Sequence, residues 1–249
     1  MGRRTGARTR VRWENPSGID GFGSWSATVA LARDGELLSN SGLNSLARVQ
    51  GPRDETYYVK EYRCRGRHLR RYLGRSRARA EWENLHVFRR LGLNTARPVA
   101  FGEDKDGRGI VVTQAVHGAV DLATLAREAP LVLNDPAFQI AVGGRLADAT
   151  ATLHESRFAH GDLKWRNILV HAESREVFLI DCPQGRMVPR VLLERARVKD
   201  LACLDKVARR YLSRTRRLWF YKKYAGIRRL SAPDKKRIGR ILRFFEGRE

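Results

Sequence analysis

Three oxygen-bearing side chains at fixed spacing stand out in the 249-residue chain. Asp162 and Asn167 lie five positions apart in Phe158-Ala159-His160-Gly161-Asp162-Leu163-Lys164-Trp165-Arg166-Asn167-Ile168-Leu169-Val170, and Asp181 closes the apolar run Val177-Phe178-Leu179-Ile180. Both apolar runs read as short strands, so Asn167 and Asp181 fall on neighbouring strand ends with Asp162 in the loop before them. Phosphoryl transfer from a nucleotide needs such a set. One carboxylate orients or accepts the proton of the attacking hydroxyl, while an amide oxygen and a second carboxylate hold Mg²⁺, which takes hard oxygen ligands. An isolated His-Gly-Asp is usually an ordinary turn in which the Asp caps its own backbone. Here the whole string occurs with a helical segment before it and two strands after it, the order that the chemistry requires.

Positioning that loop falls to the flanking elements. Ahead of it, residues 136–155 place Ile140, Leu146, Ala149 and Leu153 at roughly helical spacing, with Asn134 or Asp135 as N-cap and Pro136 just inside the start. A short helix is expected over residues 122–127. Further upstream, residues 46–49 and 56–62 read as a hairpin across Gly51-Pro52-Arg53-Asp54. Residues 76–91 carry Trp82, Leu85, Val87, Phe88 and Leu91 in a helical pattern that stops at Gly92, and strands follow at residues 99–101 and 110–113. Residues 1–30, with Trp13, Trp25 and a Gly-rich piece, read as an irregular lead-in. Residues 190–249 read as two or three basic helices broken near Gly226 and Pro233. The expected organisation is α+β: lead-in 1–30, a sheet-rich unit 31–116 and a helical unit 117–249.

Composition limits the setting. Lys and Arg number 49 against 27 Asp and Glu, a formal net charge of +22, while 42% of residues are apolar. A disordered basic tail is thereby excluded as the whole chain, because that apolar content can bury a core. So large a charge calls for an anionic partner: nucleic acid, an anionic membrane surface, or a phosphorylated or acidic substrate. Cys64, Cys182 and Cys203 are odd in number and too widely spaced for a CxxC site, which points to a reducing compartment. No uncharged apolar run approaches the roughly 18 residues of a membrane-spanning helix, and residues 1–12 lack a signal-peptide core. A cytoplasmic protein, soluble or peripheral, is expected.

The string His160 to Asn167 with the later Asp181 resembles the protein-kinase-like superfamily, whose catalytic loop reads H-x-D-x-x-x-x-N. That resemblance implies a two-lobed fold, with a small antiparallel-sheet N-lobe, a mainly helical C-lobe, and ATP with Mg²⁺ bound between them. It makes Asp162 the catalytic base, Lys164 a stabiliser of the transferring phosphate, and Asn167 and Asp181 the metal ligands. It also asks for a strand Lys to grip the α- and β-phosphates and a helix Glu to hold it, which Lys60 and Glu81 supply. Glu83 competes for that role, but lies about 200° around the helix from Glu81. The phosphate-covering loop is the poorest match: Ser39-Asn40-Ser41-Gly42-Leu43-Asn44-Ser45 offers only Gly42. The interlobe hinge falls at Thr113-Gln114-Ala115-Val116, with backbone groups of Gln114 and Val116 available to an adenine edge and Gly118 allowing close approach.

Within that superfamily, Tyr57-Tyr58-Val59-Lys60-Glu61-Tyr62, Arg79-Ala80-Glu81-Trp82-Glu83-Asn84-Leu85, Pro98-Val99-Ala100-Phe101-Gly102-Glu103 and the loop from His160 are similar to the lipopolysaccharide kinase (Kdo/WaaP) family over residues 37–225. The resemblance implies phosphorylation of an inner-core sugar, heptose or Kdo, at the cytoplasmic face of the inner membrane. It also makes Asp200 a structural anchor for the catalytic loop. One departure is Cys182-Pro183-Gln184-Gly185, where a typical kinase has Phe-Gly after the metal-binding Asp. The Asp-x-Pro-Gln string also resembles RIO-type atypical kinases of ribosome maturation, and a pseudokinase binding module is a third reading. No aromatic RNA-binding motif is visible, so nucleic acid ranks below an anionic glycolipid as partner. Basic clusters at residues 63–79 and 209–223, the latter with Leu218, Trp219, Phe220, Tyr221 and Tyr224, suit either peripheral contact with a membrane or a C-lobe core packed by these aromatics with the arginines solvated.

Overall fold

The computed structural model describes residues 11–65 and 74–247, so part of the basic cluster 63–79 lies outside the described residues. The chain divides into two units, residues 1–86 with 96–115 and residues 87–95 with 116–249.

The first unit is built on an antiparallel sheet of six strands. In chain order its elements are β1 (Val11–Glu14), α1 (Trp25–Asp34), β2 (Glu36–Asn40), β3 (Asn44–Gln50), β4 (Thr56–Tyr62), α2 (Arg77–Arg90), β5 (Pro98–Asp104) and β6 (Gly109–Gln114), and the strands lie in the order β1-β5-β6-β4-β3-β2. Period-two alternation along β4 sends Tyr57 and Val59 to one face and Lys60 and Tyr62 to the other. Tyr57 and Val59 pack with Phe22, Val49, Ile110 and Val112. Tyr62 packs with Trp82, Leu85, Phe101 and Val111, against the first turns of α2.

The irregular lead-in expected for residues 1–30 is corrected from residue 11 onward. β1 pairs with β5, Val11 opposite Asp104 and Glu14 opposite Phe101, and Trp13 Nε1 donates to the Phe22 carbonyl at 3.0 Å. Ser24 caps α1 by accepting from the Ala27 N–H. A four-residue strand has too little alternation to be seen alone, and its partner lies about 90 positions further along the chain. The edge strand β2 is exposed throughout, so no hydrophobic pattern marks it.

The second unit carries β7 (Ala119–Asp121), α3 (Leu122–Glu128), α4 (Pro136–Glu155), β8 (Phe158–Ala159), β9 (Ile168–His171), β10 (Val177–Leu179), β11 (Arg186–Met187), α5 (Arg190–Tyr211), α6 (Arg214–Ala225) and α7 (Ala232–Arg243). Two small sheets, β10-β9-β7 and β11-β8, lie on a core of Phe138, Leu146, Leu153, Leu163, Trp165 and Leu204. Asp135 caps α4 through the Ala137 and Phe138 N–H groups, with Pro136 in its first turn. The basic C-terminal segment forms three helices. Gly226, at φ +64°, ends α6 in the left-handed region, and Ser231 with Asp234 forms a capping box that starts α7. Pro233 therefore sits inside the first turn of α7 and does not break it.

The aromatics of α6 turn inward. Tyr221 and Tyr224 are buried, Phe220 packs against the core, and Trp219 lies against Gly143 of α4. The apolar half of the membrane-contact surface expected at residues 209–223 is thus spent on helix packing, leaving Leu218 on the outside. Among the described residues no helix is long and apolar enough to cross a membrane.

Trp82 is 6% exposed and stacks on Phe101 at a centroid distance of 5.7 Å. Trp82→Ala is expected to lower stability by about 3–5 kcal/mol, read as a reduced midpoint in urea unfolding. A midpoint within error of wild type would refute this account of the α2 face.

Candidate active site

The loop running from His160 to Asn167 is held from below by one buried carboxylate. Asp200, on α5 and fully buried, accepts from the backbone N–H of His160 and of Gly161, each at 2.8 Å. His154 Nε2 lies 3.3 Å from the same carboxylate, and His154 Nδ1 is 2.8 Å from the Tyr224 hydroxyl. Burial works against the charge on Asp200, but the hydrogen bond from His154 and those from the loop outweigh it and hold the carboxyl below its ordinary range. Tyr224, pushed up to about 12 by burial, keeps its proton. Gly161 has φ +78°, and a Cβ there would stand 3.1 Å from the carbonyl oxygen of Gln184. Only glycine fits that backbone. His160 is fully buried with its ring stacked on Phe88, and burial drives its pKa down, so it is a neutral packing group.

Beyond this anchor the loop presents the predicted side chains. Lys164 Nζ lies 2.7 Å from Asp162 Oδ1, and Arg166 reaches within 3.9 Å of the other carboxylate oxygen. Asn167 Nδ2 donates to the Asp162 carbonyl at 2.8 Å, which spends the NH₂ end of the amide on the loop and leaves the oxygen as the end a hard cation would take. The Ile180 N–H donates to the Asn167 carbonyl at 3.0 Å, tying the end of β10 to the loop one residue before Asp181. Asp181 itself has φ +53°, a left-handed conformation that a non-glycine residue adopts at some cost. After it, Cys182 is fully buried with its thiol 3.5 Å from the His160 carbonyl, and Pro183 is buried too. Among the described residues no three His, Cys, Asp or Glu side chains form a metal cage. The side chains of Asn167, Asp162 and Asp181 carry hard oxygen atoms, the donor type that Mg²⁺ takes.

In the first unit, Lys60 Nζ is 3.1 Å from Glu81 Oε2, with side chains 15% and 7% exposed. Glu83 pairs instead with Arg75 at the surface, at 2.6 Å. Tyr62, which sequence reasoning missed as a site residue, donates its hydroxyl to Glu81, and its ring centroid lies 5.2 Å from Lys60 Nζ. The signal was present: Tyr62 is two positions beyond Lys60 and so shares its face of β4.

Gly42 stands exposed at the tip of the β2–β3 hairpin, where the Ser41 hydroxyl accepts from the N–H of Leu43 and Asn44 at 3.3 and 3.1 Å. Arg63 ties this tip down, donating to the Ser41 carbonyl at 2.7 Å and to the Asn40 side chain. At the expected hinge, the Gln114 N–H donates to the Arg97 carbonyl at 2.9 Å and its side chain to Glu55 at 3.0 Å, while the Val116 carbonyl accepts from Ala119 at 3.2 Å. The division of the chain into units falls between Ala115 and Val116. Gly118, expected to admit a nucleotide, lies against His171, where a Cβ would be 3.0 Å from Nε2.

Asp200→Asn removes the charge that the loop N–H groups bind, and a loss of about 1.5–3 kcal/mol is expected. Because the folded pKa of Asp200 is depressed, its contribution is complete above the ordinary value near 3.8 and is lost as pH falls below it. Thermal unfolding of wild type should therefore weaken from pH 4 downward more steeply than that of Asp200→Asn; parallel curves would remove Asp200 as the anchor.

A family model for lipopolysaccharide kinases of the Kdo/WaaP type matches residues 42–224, well over half of the chain. Among solved structures, WaaP in complex with acyl carrier protein is similar in fold, with a TM-score of 0.73 at 23% identity over 95% of this chain and 96% of that one. No curated protein matches the chain. With the loop from His160 to Asn167 and its anchor Asp200 inside the matched segment, the chain belongs to the lipopolysaccharide kinase (Kdo/WaaP) family and is a phosphotransferase that uses a nucleotide.

Proposed function

We propose that this kinase transfers the γ-phosphoryl group of ATP to a sugar hydroxyl, of heptose or Kdo, in the lipopolysaccharide inner core. The observation that carries the choice of nucleotide chemistry is the Lys60–Glu81 pair, an ammonium held on a sheet face by a carboxylate that is itself braced by Tyr62. Lys60 would hold the α- and β-phosphates, the turn at Gly42 would cover them, and backbone groups of Gln114 and Val116 other than the bonded Gln114 N–H and Val116 carbonyl would meet the adenine edge. Asn167 and Asp181 would hold Mg²⁺, which supplies neutralising charge to the phosphates when bound.

Asp162 would accept the proton of the acceptor hydroxyl as its oxygen bonds to the γ-phosphorus and the bond to the β-phosphate oxygen breaks, releasing ADP. Lys164, 2.7 Å from Asp162, would neutralise charge on the phosphoryl group in transit. The anchor at Asp200 supports this reading because it fixes the backbone from which Asp162 projects, so little reorganisation accompanies the reaction. ATP is a cytoplasmic metabolite and the acceptor a lipid-anchored sugar, which argues for work at the cytoplasmic face of the inner membrane.

Asp162→Ala is expected to cut transfer by about 10²–10⁴-fold while leaving nucleotide binding within about twofold. Lys60→Ala should instead raise the KM for ATP. Incubation with radiolabelled ATP and Mg²⁺ alongside truncated lipopolysaccharide, ribosomal particles and protein acceptors tests the acceptor. Label on the truncated lipopolysaccharide is the expected result. Label on ribosomal particles alone would replace this reading with the RIO-type one, and unchanged turnover in Asp162→Ala would remove the assigned base.

A further inference from the structure

The second unit carries an apolar patch ringed with arginine that the chemistry above leaves unused. Met187, Val191 and Leu192 are 57%, 88% and 51% exposed, three aliphatic side chains within six residues. Around them the side chains of Arg157, Arg186, Arg190 and Arg195 are exposed. Arg195 follows Val191 by four positions on α5 and shares its helix face. A shallow groove continues from Val191 and Arg195 to Arg240, Arg243 and Phe244 at the end of α7. Of the neighbouring carboxylates, Glu194 is neutralised by a two-pronged contact with Arg237 at 2.8 Å, leaving Glu155 and Glu246 against six arginines.

This patch is rigidly joined to the loop of Asp162. β11 pairs with β8, Arg186 opposite Ala159 and Met187 opposite Phe158, and the Val188 N–H donates to the Arg157 carbonyl at 2.8 Å. Val188 is 4% exposed and pins the segment to the core between the exposed side chains on either side. Ala159 precedes Asp162 by three residues, so a short stretch of backbone joins the patch to the loop.

We infer that Met187, Val191 and Leu192 with the surrounding arginines form the surface by which the protein docks on an anionic lipid bilayer. The inference rests on the reading of the acceptor as a membrane-anchored glycolipid. Aliphatic side chains inserted at the headgroup boundary, with guanidinium groups at the level of the lipid phosphates, are what a peripheral protein needs to bind reversibly. The charge chooses the partner: a cluster this basic repels a second copy of the same patch and is drawn to a surface of phosphate groups. Docked there, the protein keeps β8, which leads into the loop of Asp162, near the bilayer from which the acceptor sugar projects.

The test is co-sedimentation of the full chain with vesicles of phosphatidylcholine containing phosphatidylglycerol, with no nucleotide or acceptor present. Wild type should bind these vesicles and bind pure phosphatidylcholine far more weakly. The triple variant Met187→Ser/Val191→Ser/Leu192→Ser should bind at least about tenfold more weakly, and Arg186→Glu/Arg190→Glu should lose roughly fivefold or more per residue. A control at a second exposed site, Leu131→Ser/Val132→Ser, should bind as wild type does. Equal binding by the triple variant and wild type, or an equal loss in the control, would overturn the assignment, as would wild type that pulls down a protein partner but no vesicles. Failure of the kinase reading would show only in the phosphate-transfer assay, since vesicle binding is read without substrates. If both readings hold, the triple variant loses activity on vesicle-embedded lipopolysaccharide and keeps it on a deacylated, water-soluble acceptor.

Discussion

A carboxylate with no access to water, Asp200, organises the second unit. Two backbone N–H groups of the catalytic loop and one histidine nitrogen converge on it, and each would be a buried unsatisfied donor without it. A single point of attachment thus sets the position of His160 and Gly161. From there the chain reaches Asp162 in one step and Asn167 in five more. The loop is irregular, yet it is fixed because its backbone is bonded to a helix on one side and to β10, through Asn167 and Ile180, on the other. The left-handed backbone of Asp181 is tolerated for the same reason: buried Cys182 and Pro183 hold the chain on its far side.

The first unit follows a simpler logic. Strand periodicity puts Lys60 and Tyr62 on one face of β4, and α2 lays Glu81 across that face. The ammonium and the tyrosine hydroxyl then share one carboxylate, so Glu81 is bound from two sides. Glu83, two positions further along the helix, turns to the surface and meets Arg75. Charge alone could not have assigned these partners in so basic a chain; helical and strand geometry does.

The positive charge of the chain is spread over several structural duties. Arg217 and Arg209 bind Asp205, Arg237 binds Glu194, and Arg63 braces the hairpin tip. These arginines tie helices and turns together. At the start of α5, exposed aliphatic side chains and exposed arginines coincide. The aromatic stretch of α6 is a packing surface, since helical spacing turns Tyr221 and Tyr224 to the core together.

Residue types and spacing alone disclosed the loop from His160 to Asn167, the strand-end Asp181 and the capped start of α4. Each of these is written in local order, as a motif, a period or a cap, so the sequence suffices. The resemblance asked for a Lys–Glu pair, which the structure forms between Lys60 and Glu81. The resemblance added Asp200 as an anchor, and the structure supplies the bonds by which it anchors. Other features had no local signature. The edge strand β1 exists because a distant strand, β5, pairs with it, and β2, exposed throughout, carries no hydrophobic pattern of its own. Tyr62 acts through a carboxylate 19 positions away, Gly118 meets His171, and Arg63 reaches back over 20 positions to the hairpin tip. The aromatics Tyr221 and Tyr224 of α6 are inward, while Met187, Val191 and Leu192 are outward. Tertiary structure decided these because burial and pairing depend on which distant segment arrives at a surface, and sequence spacing carries no record of that.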